Sequence, residues 1–447
     1  MPEPQRSDRS HTENEPGHPR DPWQRDRDRI LYSDALQRLA NVTQVASPSE
    51  GIVFHNRLNH THEVAQIARR LAEKLRTEQP ELAGRCVLNP DVVEAAALAH
   101  DLGHPPFGHI AEEELDGLAR AHGAPEGFEG NAQSFRIVVR TEPHRIGYRG
   151  LDLTRATLNA ILKYPWPRDT RAKGADPVKA KKFGVYSSEL VEFEFARTGY
   201  EGTDDQSIEA AIMDHADAIA YSVHDLDDFY RAGLIPIESL VFGDLGEWTW
   251  FAERWKRLKG KVPDATIDDL RDTFRRFLSR LSVGSHYTGE YAQRAHLRTA
   301  TSRLIDRFVR GVRLVETPAG GVGLEIDPDH DTQLRFLQAL VWVYVINNPR
   351  LATQQHGQRE IIRTLFNTYL GAIKRRNSDF VPALFRDDVD QLPAPPDKPH
   401  ADAREPSEEE TRIAVDIVAS FTDAQAVLLY KRLTGAAPGS ITELLHA

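Results

Sequence analysis

The chain carries one cysteine, Cys86, in 447 residues. A lone thiol cannot close an intrachain disulfide, and no cysteine-rich zinc module can be built around it. Such usage is compatible with a reducing compartment. Long apolar runs are missing as well. No stretch approaches the roughly 18 consecutive apolar residues of a membrane-spanning helix. The opening "MPEPQRSDRSHTENEPGHPRDPW" lacks the apolar segment of a secretory signal. A soluble cytoplasmic protein is therefore expected. Basic excess is also lacking: the net charge is −11. No positive field dominates, which argues against nucleic acid as the default partner. What remains is ordinary globular composition, with 40% hydrophobic and 28% charged residues. The length suits two or three domains, or one large core with an accessory region.

The pattern along the chain is helical. Residues 1–26 are polar, charged and Pro-rich, and read as a disordered tail. "HTHEVAQIARRLAEKL" (60–75) sets Val64, Ile67, Ala68, Leu71 and Leu75 on one face. "PDVVEAAALAHDLG" (90–103) opens with Pro and closes with Gly. Further helices are predicted over 111–123, 131–142, 153–166, 207–233, 247–258, 266–282, 290–311, 332–346, 358–375, 411–419 and 423–433. A hairpin is predicted at 313–317 and 322–326, and a Pro-rich linker over 387–410. The expected class is all-α with one small β-hairpin. Four units follow the tail: 27–235, an accessory region 236–386, the linker 387–410, and a helical segment 411–447.

Chemistry concentrates in "AHDLGHPPFGH" (99–109). Two prolines must end the helix that carries His100 and Asp101. His104 falls in the connection, and His109 at the mouth of the next helix, with Glu112 one turn on. A helix N-terminus presents free N–H groups and partial positive charge, a natural seat for phosphate. The His-Asp doublet alone reads as a structural pairing. A metal centre needs further donors, and His60 and Asp217 are the two sources on offer. Imidazole and carboxylate together suit Mn²⁺, Mg²⁺, Fe²⁺, Zn²⁺ and similar ions. Taken singly, His60 is equally a surface residue and Asp217 a satisfied polar one. Asp217, Tyr221 and Asp225 share one helix face over about 12 Å. That face suits a nucleotide lying along the helix; a solvated face is the alternative.

Several segments together resemble the deoxyguanosinetriphosphate triphosphohydrolase-like proteins of the HD-domain superfamily. They are "RDRIL…LQRLANVTQV", "HNRLNHTHEVAQIARRLA", "ALAHDLGHPPFGHIAEEEL", "GFEGNAQSFRIV", "LTRATLNAILKYPW", "KKFGVYSSE" and "ADAIAYSVHDLDDF". They run in order through 27–235, which would be the HD-domain catalytic core; "VASFTDAQAVLLYKRL" matches loosely. The resemblance implies a helical HD fold that hydrolyses deoxynucleoside triphosphates. It makes His60, His100, Asp101 and Asp217 the ligands of a divalent ion, Mn²⁺ or Mg²⁺ first, with Fe, Co, Ni or Zn as the other candidates. It makes His109 and Glu112 the pair that assists attack on the α-phosphorus, with His104 handling phosphate or a proton. Arg57 and Lys163 would hold the triphosphate, Tyr221, Asp225 and Gln44 the sugar, and Asn131 would line the site. It further implies a homo-oligomer and, in some relatives, a nucleotide activator. The chain departs from the commoner pattern at His62, an extra imidazole expected on the helix surface, and at Ala218, which replaces an acid. The rivals are another HD-domain phosphohydrolase and a non-catalytic nucleic-acid-binding HD protein. The Arg-rich stretches 271–280 and 373–377 would serve the latter, although solvated helix faces explain them as well.

Overall fold

In the computed structural model, residues 5–11, 19–44, 55–171, 174–242, 244–255, 271, 287–346, 349–394 and 404–437 are described. Helices follow one another in the order α1 (Pro22–Leu31), α2 (Asp34–Arg38), α3 (Arg57–Glu78), α4 (Pro80–Arg85), α5 (Pro90–Ala99), α6 (His109–Ala121), α7 (Gly130–Arg136), α8 (Arg155–Ile161), α9 (Leu190–Ala196) and α10 (Ile208–Arg231). Then come α11 (Ile237–Phe242), α12 (Leu245–Trp255), α13 (Tyr291–Arg310), the strands β1 (Val312–Glu316) and β2 (Val322–Ile326), α14 (Pro328–Val341) and α15 (Pro349–Lys374). The last three are α16 (Arg386–Asp390), α17 (Glu408–Ala419) and α18 (Asp423–Leu433). The fold is all-α, with β1 and β2 paired antiparallel, Val312 opposite Ile326.

Local sequence explains the central helices. Asn56 caps α3 by accepting from Asn59 N–H, and the predicted stripe of Val64, Ile67, Ala68, Leu71 and Leu75 is buried. In α5, Val92, Val93 and Ala95 to Ala99 are all buried. An apolar helix with so many alanines is slim, so α1, α3, α8 and α10 approach it closely. This brings the His100 turn, His60 on α3 and the middle of α10 to one end of the bundle.

Among the described residues two large cores form, beside a small cluster of Ala132, Phe183 and Tyr186, and the large ones do not follow the predicted units. One runs from Ile30 through α3, α5, α8, α10 and α12–α14 to Val345. The other joins α6 to α15, α17 and α18 through Ala111, Leu115, Phe366, Ile413 and Leu429. The described helices of the accessory stretch 236–386 divide between the two large cores.

Several boundaries differ from expectation. The first helix starts at Pro22, inside the predicted tail, with Asp21 as its cap. Residues 5–11 are also held. Arg9 pairs with Asp26 at 2.7 Å, and Arg6 pairs with Glu209. Both acids are buried, and a buried carboxylate requires a cationic or hydrogen-bonded partner, which this stretch supplies. The 387–410 stretch contains most of α16, whose Val389 is buried, and the start of α17. The 131–142 segment becomes α7 followed by a π-turn at Ile137–Thr141. Apart from residue 271, the helix predicted over 266–282 lies outside the described residues, and so do 438–447.

Candidate metal centre and active site

The helix α5 stops at Ala99, so His100 is its C-cap and Asp101 stands in the turn. There His100 Nδ1 lies 2.7 Å from Ala97 O. Donation to that carbonyl fixes the tautomer and leaves Nε2 as a lone-pair donor. Nε2 is buried without a hydrogen-bond partner. It faces Asp101 Oδ1 at 3.4 Å and Asp217 Oδ1 at 3.7 Å. From α3, His60 Nε2 approaches the same Asp217 oxygen at 3.1 Å. His60, His100 and Asp217 thus offer three ligand atoms within 4.8 Å of one another. Asp101 divides its oxygens: Oδ2 accepts from Arg57 Nη1 at 2.7 Å, while Oδ1 points at His100.

The charges agree with a cation seat. Burial opposes ionisation of Asp101 and Asp217, yet neighbouring cations hold both carboxyls well below the usual range. For Asp101 these are His100 first and then Arg57; for Asp217, Lys163 comes first. His100 is also pushed down by burial, but Asp101 and Asp217 carry it up to about 9. A divalent ion would replace those protons with its own charge. Donor set, orphaned Nε2 and ionised carboxylates all fit one.

Beside this centre is a second group of three donors, His104, His109 and Glu112. His109 is the first residue of α6, with Nδ1 2.9 Å from Glu112 Oε2. Its side chain is mostly exposed, whereas Glu112 is buried. Burial pushes the Glu112 carboxyl up; the bond from His109 and the Lys182 ammonium at 3.3 Å outweigh it and keep Glu112 ionised. An imidazole held through Nδ1 presents Nε2 outward. His104 is buried, and its Nδ1 lies 3.2 Å from Asp101 Oδ1 without hydrogen-bond alignment. Burial, and then Arg57, lower its pKa to about 3.

Lys163 follows α8 and places Nζ 2.8 Å from Asp214 and 3.0 Å from Asp217. Tyr221 and Asp225 lie one and two turns beyond Asp217 on α10; Asp225 Oδ2 is buried and unpartnered. Gln44 Oε1 is likewise buried without a partner. Asn131 Nδ2 donates to Glu129 at 3.0 Å. His62 is exposed on α3, as its spacing suggested. A cavity of about 680 Å³ opens between α3, α10 and α13, lined by Glu63, His224 and Arg298. It touches none of His60, His100 and Asp217.

Comparison with known proteins identifies the family. The HD domain matches residues 57–222, and the phosphohydrolase-associated domain matches 324–432. A deoxyguanosinetriphosphate triphosphohydrolase-like protein of Streptomyces coelicolor is 37% identical over 92% of either chain. The chain belongs to this family. A relative of the same description from Corynebacterium efficiens is 36% identical over 78% of this chain and 80% of its own. One from Shewanella halifaxensis is 29% identical over 95% and 94%. Membership makes the chain an HD-domain phosphohydrolase.

The structure brings to the candidate site residues that the sequence did not single out. Lys182 Nζ bridges Glu129 at 2.7 Å and Glu112 at 3.3 Å. Its signal was its place in "KKFGVYSSE", just as Glu129 stands inside "GFEGNAQSFRIV". Asp214, one turn before Asp217, supplies the second carboxylate on Lys163. No sequence spacing links Arg38 to the site, yet it donates to the carbonyls of Leu102 and His104, both at 2.8 Å.

Proposed function

We propose that the protein hydrolyses deoxynucleoside triphosphates, dGTP among them, to deoxynucleoside and inorganic triphosphate. One observation carries the reading: a His60–His100–Asp217 donor group, its imidazoles buried and its carboxylate half-buried, is flanked by Asp101 and stands beside an imidazole–carboxylate pair at a helix N-terminus. The ion is Mn²⁺ or Mg²⁺ before any softer metal, since two of the four proposed ligands are carboxylates. When bound, it supplies Lewis-acid stabilisation of charge on the α-phosphate.

The chain's own groups do the rest. Arg57 holds Asp101 through one oxygen and keeps a second guanidinium nitrogen near the Thr43 and Gln44 carbonyls, at 3.4 and 3.5 Å. It and Lys163 neutralise triphosphate oxygens. His109, its Nδ1 bound by ionised Glu112, moves a proton at Nε2 for attack or for the departing sugar oxygen. His104, kept neutral by burial, accepts rather than repels a proton donor on the phosphate side. Tyr221 and Asp225 pack under a 2′-deoxy sugar. Burial, and then Asp228, hold the Asp225 carboxyl well above its usual range, so it donates a hydrogen bond to a sugar hydroxyl.

Product analysis tests the reading. Purified protein is incubated with each dNTP and with GTP in Mn²⁺ or Mg²⁺, beside Asp101→Ala. Deoxynucleoside and intact triphosphate, absent with Asp101→Ala, are expected. In His109→Ala, kcat is expected to fall about 10²–10⁴-fold with metal content intact. Release of single phosphate or diphosphate, or full activity in either variant, refutes the assignment.

A further inference from the structure

The strongest unassigned feature is a carboxylate from the C-terminal helix pair that reaches the back of the site. Asp423 is the first residue of α18. It is not needed as that helix's cap. Thr422 already accepts from Gln425 N–H, and the Gln425 side chain closes the reciprocal bond. Asp423 turns instead to two distant segments. Its Oδ1 accepts from Phe107 N–H at 2.9 Å. Its Oδ2 accepts from Thr43 N–H at 3.1 Å and from the Thr43 hydroxyl.

Both segments lead directly into site residues. Phe107 has φ +65° and Gly108 φ +63°, and this left-handed pair turns the chain into α6 at His109. A phenylalanine holds such a backbone only where its surroundings enforce it. Thr43 pairs with Asn56, the cap of α3, just before Arg57 and His60. Thr43 and Gln44 also offer their carbonyls to Arg57. A second strut runs parallel: Arg38 joins Phe421 O, at 3.0 Å, to the His104 and Leu102 carbonyls.

We propose that Asp423 is a positioning residue: it clamps the Phe107–Gly108 turn to Thr43 and so fixes His109 against Arg57. The C-terminal helices are then part of the catalytic apparatus rather than an appendage. This inference rests on the proposed function for its kinetic readout, but not for its structural one.

The test uses full-length Asp423→Ala and Asp423→Asn, the second keeping one acceptor oxygen and the side-chain size. Hydrogen exchange at 102–109 and 41–44 is expected to accelerate in both, more in Asp423→Ala. With whichever nucleotide the wild type hydrolyses, kcat should fall about tenfold to a hundredfold in Asp423→Ala. KM, bound metal and the fraction folded should stay near wild type. In a His109→Ala background the same substitution should cost nothing further, because it acts through His109. If Asp423→Ala does not fold, Asp423→Asn carries the comparison. Unchanged exchange at 102–109 overturns the clamp, even if the wild type hydrolyses no dNTP and the functional reading fails. Full additivity with His109→Ala, or a kcat loss matching only lost folded protein, overturns the positioning role.

Discussion

Gly103 stands between Asp101 and His104, where the turn bearing both presses on the start of α7. Its N–H donates to Ser134 Oγ at 2.9 Å, and that hydroxyl donates to His100 O at 2.9 Å. A Cβ at Gly103 would lie 2.2 Å from Gly130 O, 2.3 Å from Ser134 N and 2.7 Å from Gln133 C. All three are backbone atoms, so nothing can rotate aside. Gly103→Ala must push the turn away from α7 by about 1 Å, at an overpacking cost of about 1–3 kcal/mol. His100 and Asp101 move with it. Metal–ligand distances tolerate only about 0.2 Å, and a displacement of about 1 Å at reacting groups costs on the order of a hundredfold in rate. The expected result is a lower unfolding midpoint, sub-stoichiometric Mn²⁺ by plasma mass spectrometry after dialysis, and turnover reduced about a hundredfold. Gly117→Ala is the internal control. It lies on the exposed face of α6 with nothing within 4 Å of its Cβ, and should stabilise by about 0.5–1 kcal/mol. A Gly103→Ala protein with wild-type metal content and turnover refutes the packing argument.

Two more outcomes are expected. Burial holds the Glu142 carboxyl up to about 7, against the N–H groups of Asp34 and Ala35 that it accepts from. The native state keeps a proton that the unfolded chain releases near pH 4.3, so stability falls as pH rises through about 4 to 7. Glu142→Gln keeps the accepting oxygen and removes this slope. Urea unfolding should show it more stable than wild type by about 3–4 kcal/mol at pH 8 and equal near pH 4; equal stability at pH 8 refutes the assignment. Lys163→Met removes the ammonium from Asp214 and Asp217. Loss of charge-assisted contacts to a triphosphate should lower kcat/KM about tenfold to a hundredfold; steady-state kinetics with unchanged kcat/KM would exclude Lys163 from the site.

Much of this protein is written locally. The α3 stripe, the proline stop after the His-Asp doublet and the β1–β2 hairpin are all readable because each depends on neighbours within a few residues. His109 and Glu112 belong to the same kind of information, being one turn apart on α6. Asp217 with Tyr221 and Asp225 is legible for the same reason: a helix face is a property of spacing. Composition predicts solvation of the tail and does not show that buried Asp26 and Glu209 take Arg9 and Arg6 as partners. The tertiary structure alone decided which distant groups meet. It brought Lys182 to Glu112 and Glu129, Asp214 to Lys163, and Asp423 to Phe107 and Thr43. It also joined α6 to α15, α17 and α18 in a second core, against the order of the chain. Local patterns specify helices and their apolar faces; which faces pair is settled by burying them together, and only that packing sets one carboxylate beside another element's N–H.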